Sequence, residues 1–264
     1  MRTKNYSIER KNRILEILDK EGRAEVEALA RDMKVSKETI RRDLRELEND
    51  ALLKRTHGGA VSTGTSHQTT EEYPYLIREI QYLEEKERIC RKAASLVQNG
   101  DTIFIDNSST NIAILKHINP EYSVTIITNS IRILLESTRQ TSDNFVFISL
   151  GGIFRGKNYS CTGDIANEMA NRFRPSKAFI SCYGIDKEGY LFDSSMYEIE
   201  VKRNFIELAG EVYITADHTK IGRKGGVQLS DISQADYLIC DRALTEEEQN
   251  NLDMQNVKVL VADI

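Results

Sequence analysis

Two groups of residues in this chain have types and spacings that could do chemistry, and the chemistry differs. Between residues 36 and 45, Lys37, Arg41, Arg42 and Arg45 surround Ser36 and Thr39, a density of cations and hydroxyls suited to a polyanion. The second group is scattered along the sequence. It comprises Asp106-Asn107-Ser108-Ser109-Thr110, Thr128-Asn129-Ser130, Gly151-Gly152, Gly184-Ile185-Asp186 and Asp217-His218-Thr219-Lys220. Hydroxyls, glycines, carboxylates and a lysine together suit a small polyol phosphate. Hydroxyls and free N–H groups at a helix start after Thr110 can hold the phosphate, and Lys220 adds a point charge. Asp106 or Asp186 can accept bonds from sugar hydroxyls. The candidates here are Asp106, Ser108, Ser109, Thr110, Asn129, Gly151, Gly152, Asp186 and Lys220.

Other chemistries find no support in the spacing. The four cysteines, Cys90, Cys161, Cys182 and Cys240, never form a C-x-x-C pair and read as buried reduced thiols. His57, His67, His117 and His218 show no metal-ligand spacing, so no metal is expected. Neither a Walker motif nor a G-x-G-x-x-G fingerprint is present, and no cofactor is implied.

The cationic group needs a scaffold that turns it outward. In VSKETIRRDLRELE (35–48), Ile40, Leu44 and Leu47 fall on one helical stripe, and the cations point away from it or onto its flank. Ser36 stands where it can cap the free N–H groups of that helix. Residues 8–20 predict an earlier helix with Ile14, Leu15, Ile17 and Leu18 on its apolar face and Gly22 just past its end. Residues 24–33 predict another, with Val26, Leu29, Ala30 and Met33 inward. Two helices joined by so short a turn have helix-turn-helix geometry, in which the second helix enters a DNA major groove. ALLKRTHGGAV (51–61) reads as a hairpin with Lys54, Arg55 and His57 near its tip, a basic wing. Lys37, Thr39, Arg41 and Arg42 are then candidates near base edges, while Arg45, Lys54 and Arg55 suit backbone phosphates. Ser36 and His57 complete the DNA-facing set.

Residues 62–75 are rich in Ser, Thr and Gly and read as a linker, and a long helix is expected over 76–97. Beyond it, apolar runs alternate with helical stretches. The runs are TIFID (102–106), VTIIT (124–128), FVFISL (145–150), AFISCYG (178–184), VYITAD (212–217), YLICD (237–241) and VKVLVAD (257–263); helices are expected at 164–173 and 197–209. Such alternation predicts a mostly parallel sheet covered on both faces. Ligands of these sheets bind beyond the carboxyl ends of the strands, where the second group of residues falls. The expected organisation is α/β: a DNA-binding winged helix-turn-helix over 1–61, a linker over 62–75 and a larger ligand-binding domain over 76–264.

Charge divides accordingly. Net charge is −5, but residues 1–60 hold 15 Lys+Arg against 12 Asp+Glu, leaving 21 against 29 in the remainder. A basic head on an acidic body fits a polyanion-facing module joined to something else. No apolar run reaches the ~18 residues that span a bilayer, and the N-terminus has no apolar signal core. No membrane partner is expected, and the cytoplasm is the default location.

RILEILDKEGRAEVEALARDMKVSKETIRRDLRELENDALLKRTHGGAV (13–61) resembles the N-terminal module of the DeoR family of bacterial transcription regulators, above all in TIRRDLRELE and the wing ending HGGA. GDTIFIDNSSTN, ITNS, GG, GID and ADHTKIG resemble that family's C-terminal sensor domain. The resemblance implies a body related in fold to ribose-5-phosphate isomerase that binds phosphorylated sugars or similar intermediates. Where the family often has D-S-G-T-T, this chain has Asp106-Asn107-Ser108-Ser109-Thr110, which loses an easy positive-φ position. The usual D-x-S-K appears as Asp217-His218-Thr219-Lys220 and keeps a hydroxyl and the lysine.

The leading expectation is a regulator, a repressor of a carbohydrate-catabolism operon, whose affinity for operator half-sites is set by a phosphorylated sugar. Such modules act as homo-oligomers, dimers or tetramers, on repeated half-sites, and helix 76–97 is a candidate for part of the interface. A second reading is a sugar-phosphate isomerase with an appended DNA-binding head, using Asp106, Asp186 and Lys220 as acid–base groups. A third, an RNA- or protein-binding head, finds no Phe, Tyr or Trp in residues 24–61 to stack on bases.

Overall fold

The computed structural model describes residues 2–49, 52–62, 75–139, 142–253 and 255–262. The chain divides into two compact units, Met1–Gln81 and Tyr82–Ile264. The linker expected over 62–75 lies outside the described residues except at its two ends.

The first unit runs α1 (Arg2–Glu21), β1 (Arg23–Glu25), α2 (Val26–Asp32), α3 (Lys37–Asn49), β2 (Lys54–Arg55), β3 (Gly59–Val61) and α4 (Tyr75–Ile80). Ile14, Leu15 and Leu18 of α1 meet Val26, Leu29 and Ala30 of α2 and Ile40, Leu44 and Leu47 of α3 in one core, with Ile17 and Met33 at its margin. Gly22 takes φ 72° just past α1. Its N–H closes on Leu18 O at 2.9 Å, the left-handed ending expected there.

The helix expected over 24–33 starts later, at Val26. Residues 23–25 alternate exposed, buried, exposed and pair with 59–61 as the third strand of the wing, in the order β1-β3-β2. This pairing needs Gly59, where a Cβ would lie 2.0 Å from Ala24 O.

The helix expected over 76–97 is two helices. α4 ends at Ile80, and α5 (Leu83–Ser95) begins after Tyr82, which adopts the left-handed conformation at φ 53°, ψ 45°. The physical reason is that its apolar residues serve different cores. Ile77 is buried with the head residues, whereas Ile89, Cys90, Ala93 and Ala94 pack on the sheet of the second unit. The division between units therefore falls after Gln81 rather than at residue 75.

The second unit continues β4 (Thr102–Ile105), α6 (Ile114–His117), β5 (Val124–Thr128), α7 (Ile131–Ser137), β6 (Phe145–Ser149), β7 (Ile153–Arg155), β8 (Ser160–Thr162), α8 (Asp164–Ala170), β9 (Lys177–Ser181), β10 (Gly184–Ile185), β11 (Tyr190–Asp193), α9 (Met196–Leu208), β12 (Glu211–Ala216), β13 (Val227–Asp231), β14 (Tyr237–Cys240), α10 (Glu246–Asp253) and β15 (Lys258–Val261). Each of the seven apolar runs supplies a strand of one parallel sheet, ordered β15-β14-β12-β9-β4-β5-β6. The AFISCYG run splits, because its last residues leave the sheet to form β10 in a small antiparallel sheet, β10-β11-β13.

Alternate residues feed two cores. Phe104, Ala178, Ile180, Val212 and Ile214 pack toward α8 and α9 on one face. Ile103, Ile105, Ile126, Phe179 and Tyr213 pack toward α5, α6 and α7 on the other. Burial on both faces is why these strands read as continuous apolar runs. The four cysteines are free and buried; burial pushes the Cys90 thiol up to about 12 and those of Cys182 and Cys240 to about 11.

Candidate functional site

In the first unit the polyanion-facing candidates lie at the start of α3, along it and on the wing. Ser36 Oγ accepts a bond from the Thr39 N–H at 3.1 Å and so caps α3. Lys37, Arg41, Arg42 and Arg45 are exposed on α3, Lys54, Arg55 and His57 are exposed on the wing, and Thr39 is half-buried. Several have partners of their own. Lys37 pairs with Glu27, Arg41 with Glu38 at 3.5 Å, Arg42 with Glu46 at 4.0 Å and Arg55 with Glu48 at 3.5 Å. Exposed pairs of this kind contribute little because solvent screens them, so an incoming phosphate can displace the carboxylate. Arg45, Lys54 and His57 make no ion pair among the described residues.

One residue of α3 escaped the sequence reading. Asp43 is fully buried and pairs with Arg10 of α1, which donates from Nη2 to Oδ1 at 3.0 Å. The pair fixes how α3 is presented. Its signal lay in the stripe itself, because Asp43 sits beside Leu44 among the inward positions.

In the second unit, parallel strands place four of the candidate segments after their carboxyl ends. Asp106 follows β4, yet its carboxylate is already engaged on every side. Oδ1 accepts from the Ser108 N–H at 3.1 Å and Asn111 Nδ2 at 2.9 Å, Oδ2 accepts from the Ser181 N–H at 2.9 Å, and Lys202 Nζ lies at 3.2 Å. Asp106 thus shapes the loop from beneath. Ser108 Oγ accepts from the Asn111 N–H at 3.1 Å. The helix expected after Thr110 opens as a 3-10 turn, Asn111–Ala113, ahead of the single turn α6.

Two lysines converge on the same loop. Lys220 Nζ donates to Thr110 Oγ1 at 3.0 Å and to Ser181 Oγ at 2.8 Å. Lys86 of α5, buried, donates to Ser109 Oγ at 3.2 Å. Lys86 was not among the sequence candidates, although it lies three residues before Ile89 on an otherwise apolar stripe. Both cations act on Asp217. Burial alone would raise its carboxyl, but Lys220, the Thr219 hydroxyl and Lys86 hold it below the usual range.

Asn129 follows β5, and its backbone O accepts from the Cys161 N–H at 2.8 Å. Its side-chain amide is buried, and neither the oxygen nor the nitrogen has a partner among the described residues; the same holds for Asn107 Oδ1. Gly151 and Gly152 follow β6 with φ 67° and 101°. A Cβ at Gly152 would lie 2.6 Å from Thr162 O, so this glycine lets the chain pass beside β8.

Asp186 is the candidate that the structure does not bring to this loop. Its Oδ1 accepts from the N–H groups of Glu188 and Tyr190 at 3.1 and 2.8 Å, closing a turn. It lines a separate cavity of about 150 Å³ with Ile221, Asn251 and Leu252.

A buried lysine missed in the sequence ties the region together. Lys202 of α9 donates to Asp193 Oδ2 at 2.7 Å and to Ser181 O at 2.8 Å, besides its contact with Asp106. Burial would lower its pKa, but Asp193 and Asp106 outweigh that and raise it. Nearby on the same helix, Glu198 Oε1 accepts from Arg155 Nη1 at 2.8 Å and Ser160 Oγ at 2.7 Å. Among the described residues no group of three or more His, Cys, Asp or Glu side chains could hold a metal ion.

A capped basic helix with a wing, on a chain that also carries a doubly covered parallel sheet with lysines and hydroxyls at its strand ends, defines a DNA-binding regulator with a sensor domain. Comparison with known proteins bears this out. Residues 10–66 match the DeoR-like helix-turn-helix domain and residues 81–242 the DeoR C-terminal sensor domain. The chain belongs to the DeoR family of transcriptional regulators. It is 34% identical to the HTH-type regulator YulB of Bacillus subtilis, covering 95% of each chain. It is 33% identical to the glycerol-3-phosphate regulon repressor of Escherichia coli, covering 88% of this chain and 90% of that one. Among solved structures, ribose 5-phosphate isomerase A of Methanocaldococcus jannaschii aligns over 52% of this chain and 53% of its own, with 14% identity and a TM-score of 0.36, too distant to bear on the argument.

Proposed function

We propose that the protein is a repressor of a carbohydrate-catabolism operon, acting in the cytoplasm as a dimer or tetramer on operator half-sites. Thr39 and the α3 cations Lys37, Arg41 and Arg42 read base edges. Arg45, Lys54, Arg55 and His57 hold backbone phosphates, and Ser36 fixes the start of the reading helix. A phosphorylated sugar is the effector, and its phosphate lies against Ser109, Thr110, Lys86 and Lys220. The observation that carries this reading is the convergence of two lysines on one hydroxyl-lined loop after β4. A phosphate there replaces the lysine–hydroxyl bonds with stronger ones in which both donor and acceptor are charged. Relatives named for glycerol-3-phosphate support the class of ligand. The effector changes operator affinity only by as much as it prefers one DNA-binding state, typically ~1–3 kcal/mol.

The isomerase reading is weaker. The strand-end carboxylate it would use, Asp106, is enclosed by three N–H donors and Lys202.

The test is binding of the purified protein to its own upstream DNA at fixed salt, with and without a panel of sugar phosphates and their unphosphorylated forms. One phosphosugar should shift the affinity where its parent sugar does not. Specific DNA binding that no phosphosugar alters would remove the sensor half of the proposal.

A further inference from the structure

We propose that Glu198 and Asn129 form the hydroxyl-reading end of the effector site, so that the effector is a monophosphate with free hydroxyls beyond its phosphate. This rests on the phosphate lying at Lys86 and Lys220. Glu198 is 2% exposed at the start of α9. Its Oε1 accepts from Arg155 and Ser160, whereas Oε2 is buried without a partner among the described residues. Asn129 is 1% exposed, and both polar atoms of its amide are equally unpartnered among the described residues. Buried polar atoms are rarely left so, because the lost hydration is not returned.

The two residues flank the same short piece of β8. Ser160 bonds Glu198 through its hydroxyl, and its backbone forms a bridge with Ser130; the next N–H, of Cys161, bonds Asn129 O. Asn129 follows β5, the strand beside β4, whose loop carries Ser109 and Thr110. The orphaned atoms therefore lie along one strand-end edge from the two lysines.

Their chemistry is complementary to a hydroxyl and to little else. One alcohol donates to Glu198 Oε2 or Asn129 Oδ1 and accepts from Asn129 Nδ2, so two neighbouring hydroxyls meet all three atoms. A second phosphate at this end would meet the Glu198 carboxylate and be repelled. Such pairing of unmet polar groups is what lets a site reject an analogue lacking the hydroxyl.

The experiment is calorimetric titration of the full chain with inorganic phosphate, glycerol 3-phosphate, glucose 6-phosphate, fructose 6-phosphate and fructose 1,6-bisphosphate. Wild type, Glu198→Gln, Asn129→Ala and Lys220→Met are compared, each first checked for an unchanged far-UV spectrum. In the wild type, at least one monophosphate should bind more tightly than inorganic phosphate and more tightly than the bisphosphate. Glu198→Gln should reduce the preference over inorganic phosphate about tenfold or more, and so should Asn129→Ala. If both variants keep that preference within twofold while Lys220→Met abolishes binding, the hydroxyl end is wrong and the phosphate end survives. If neither phosphate nor any sugar phosphate binds the wild type, both readings fall. Should Glu198→Gln not fold, Asn129→Ala carries the same comparison.

Discussion

Replacing Lys202 by methionine tests the claim that one buried cation holds the strand ends in place. Methionine keeps most of the volume and removes the charge. Asp193 loses its 2.7 Å partner, Asp106 loses the one at 3.2 Å, and Ser181 O loses a donor. Lys202 is 5% exposed and Asp106 fully buried, so water cannot take over. Breaking such a cluster by removing one partner costs ~3–5 kcal/mol, because uncompensated charge stays behind. The sign with pH is also fixed. In the wild type Lys202 is raised above its ordinary value. Its contribution is therefore complete below about pH 10 and is lost only as pH rises through the raised value, so it gives no slope between pH 5 and 8. Urea unfolding at pH 7, followed by far-UV circular dichroism and tyrosine fluorescence, measures the loss; the chain has 11 tyrosines and no tryptophan. Adding Asp193→Asn should recover part of the loss. A deficit below about 1 kcal/mol would refute the reasoning.

Ser36→Ala removes the 3.1 Å bond to the Thr39 N–H and should cost the head ~1 kcal/mol, read as a lower melting point of its transition. Arg45→Ala should reduce the salt slope of operator binding by about one phosphate, ~0.9 in log–log units, and a flat result would exclude Arg45 from the backbone contacts. Gly152→Ala meets both a positive φ of 101° and Thr162 O at 2.6 Å, and should destabilise the sensor by ~1–3 kcal/mol in thermal melts. Asp217→Asn should cost stability at pH 7 and progressively less as pH falls below about 4. The wild-type carboxyl is held low by Lys220, so its contribution is present above about pH 4 and fades as pH falls through the lowered value.

The sequence exposed those features that its periodicities encode. Seven apolar runs became seven strands, because burial on both faces leaves no other pattern. The stripe Ile40, Leu44, Leu47 and the cap Ser36 both sit where their spacing put them. What stayed hidden follows one rule. Asp43, Lys86 and Lys202 are charged residues at inward positions of apolar stripes, where they read as interruptions rather than as parts of a network. Their partners, Arg10, Ser109 and Asp193, come from other elements, and a period along one helix carries no such information. Asp106 and Asp186 misled for the converse reason. A carboxylate at a strand end looks free in the sequence until the N–H groups that enclose it are known. The break at Tyr82 was masked because α4 and α5 both carry apolar residues, Ile77 in one and Ile89 in the other, though these serve different cores.

The strand order also constrains synthesis. At the middle of the sensor sheet, Phe104 of β4 pairs with Ala178 of β9, and all of β5 through α8 must be made between them. The head closes on shorter loops, its widest strand pairing joining Arg23 to Val61. As the chain leaves the ribosome, the head can therefore form while β4 still waits for its inner neighbour, since distant pairings bear the greater loop-closure cost. A chain cut short before residue 177 would carry a finished head on a body whose apolar central strand has an open edge. Such edges invite pairing with other chains, so nonsense mutations in that interval should yield aggregates rather than a constitutive DNA binder.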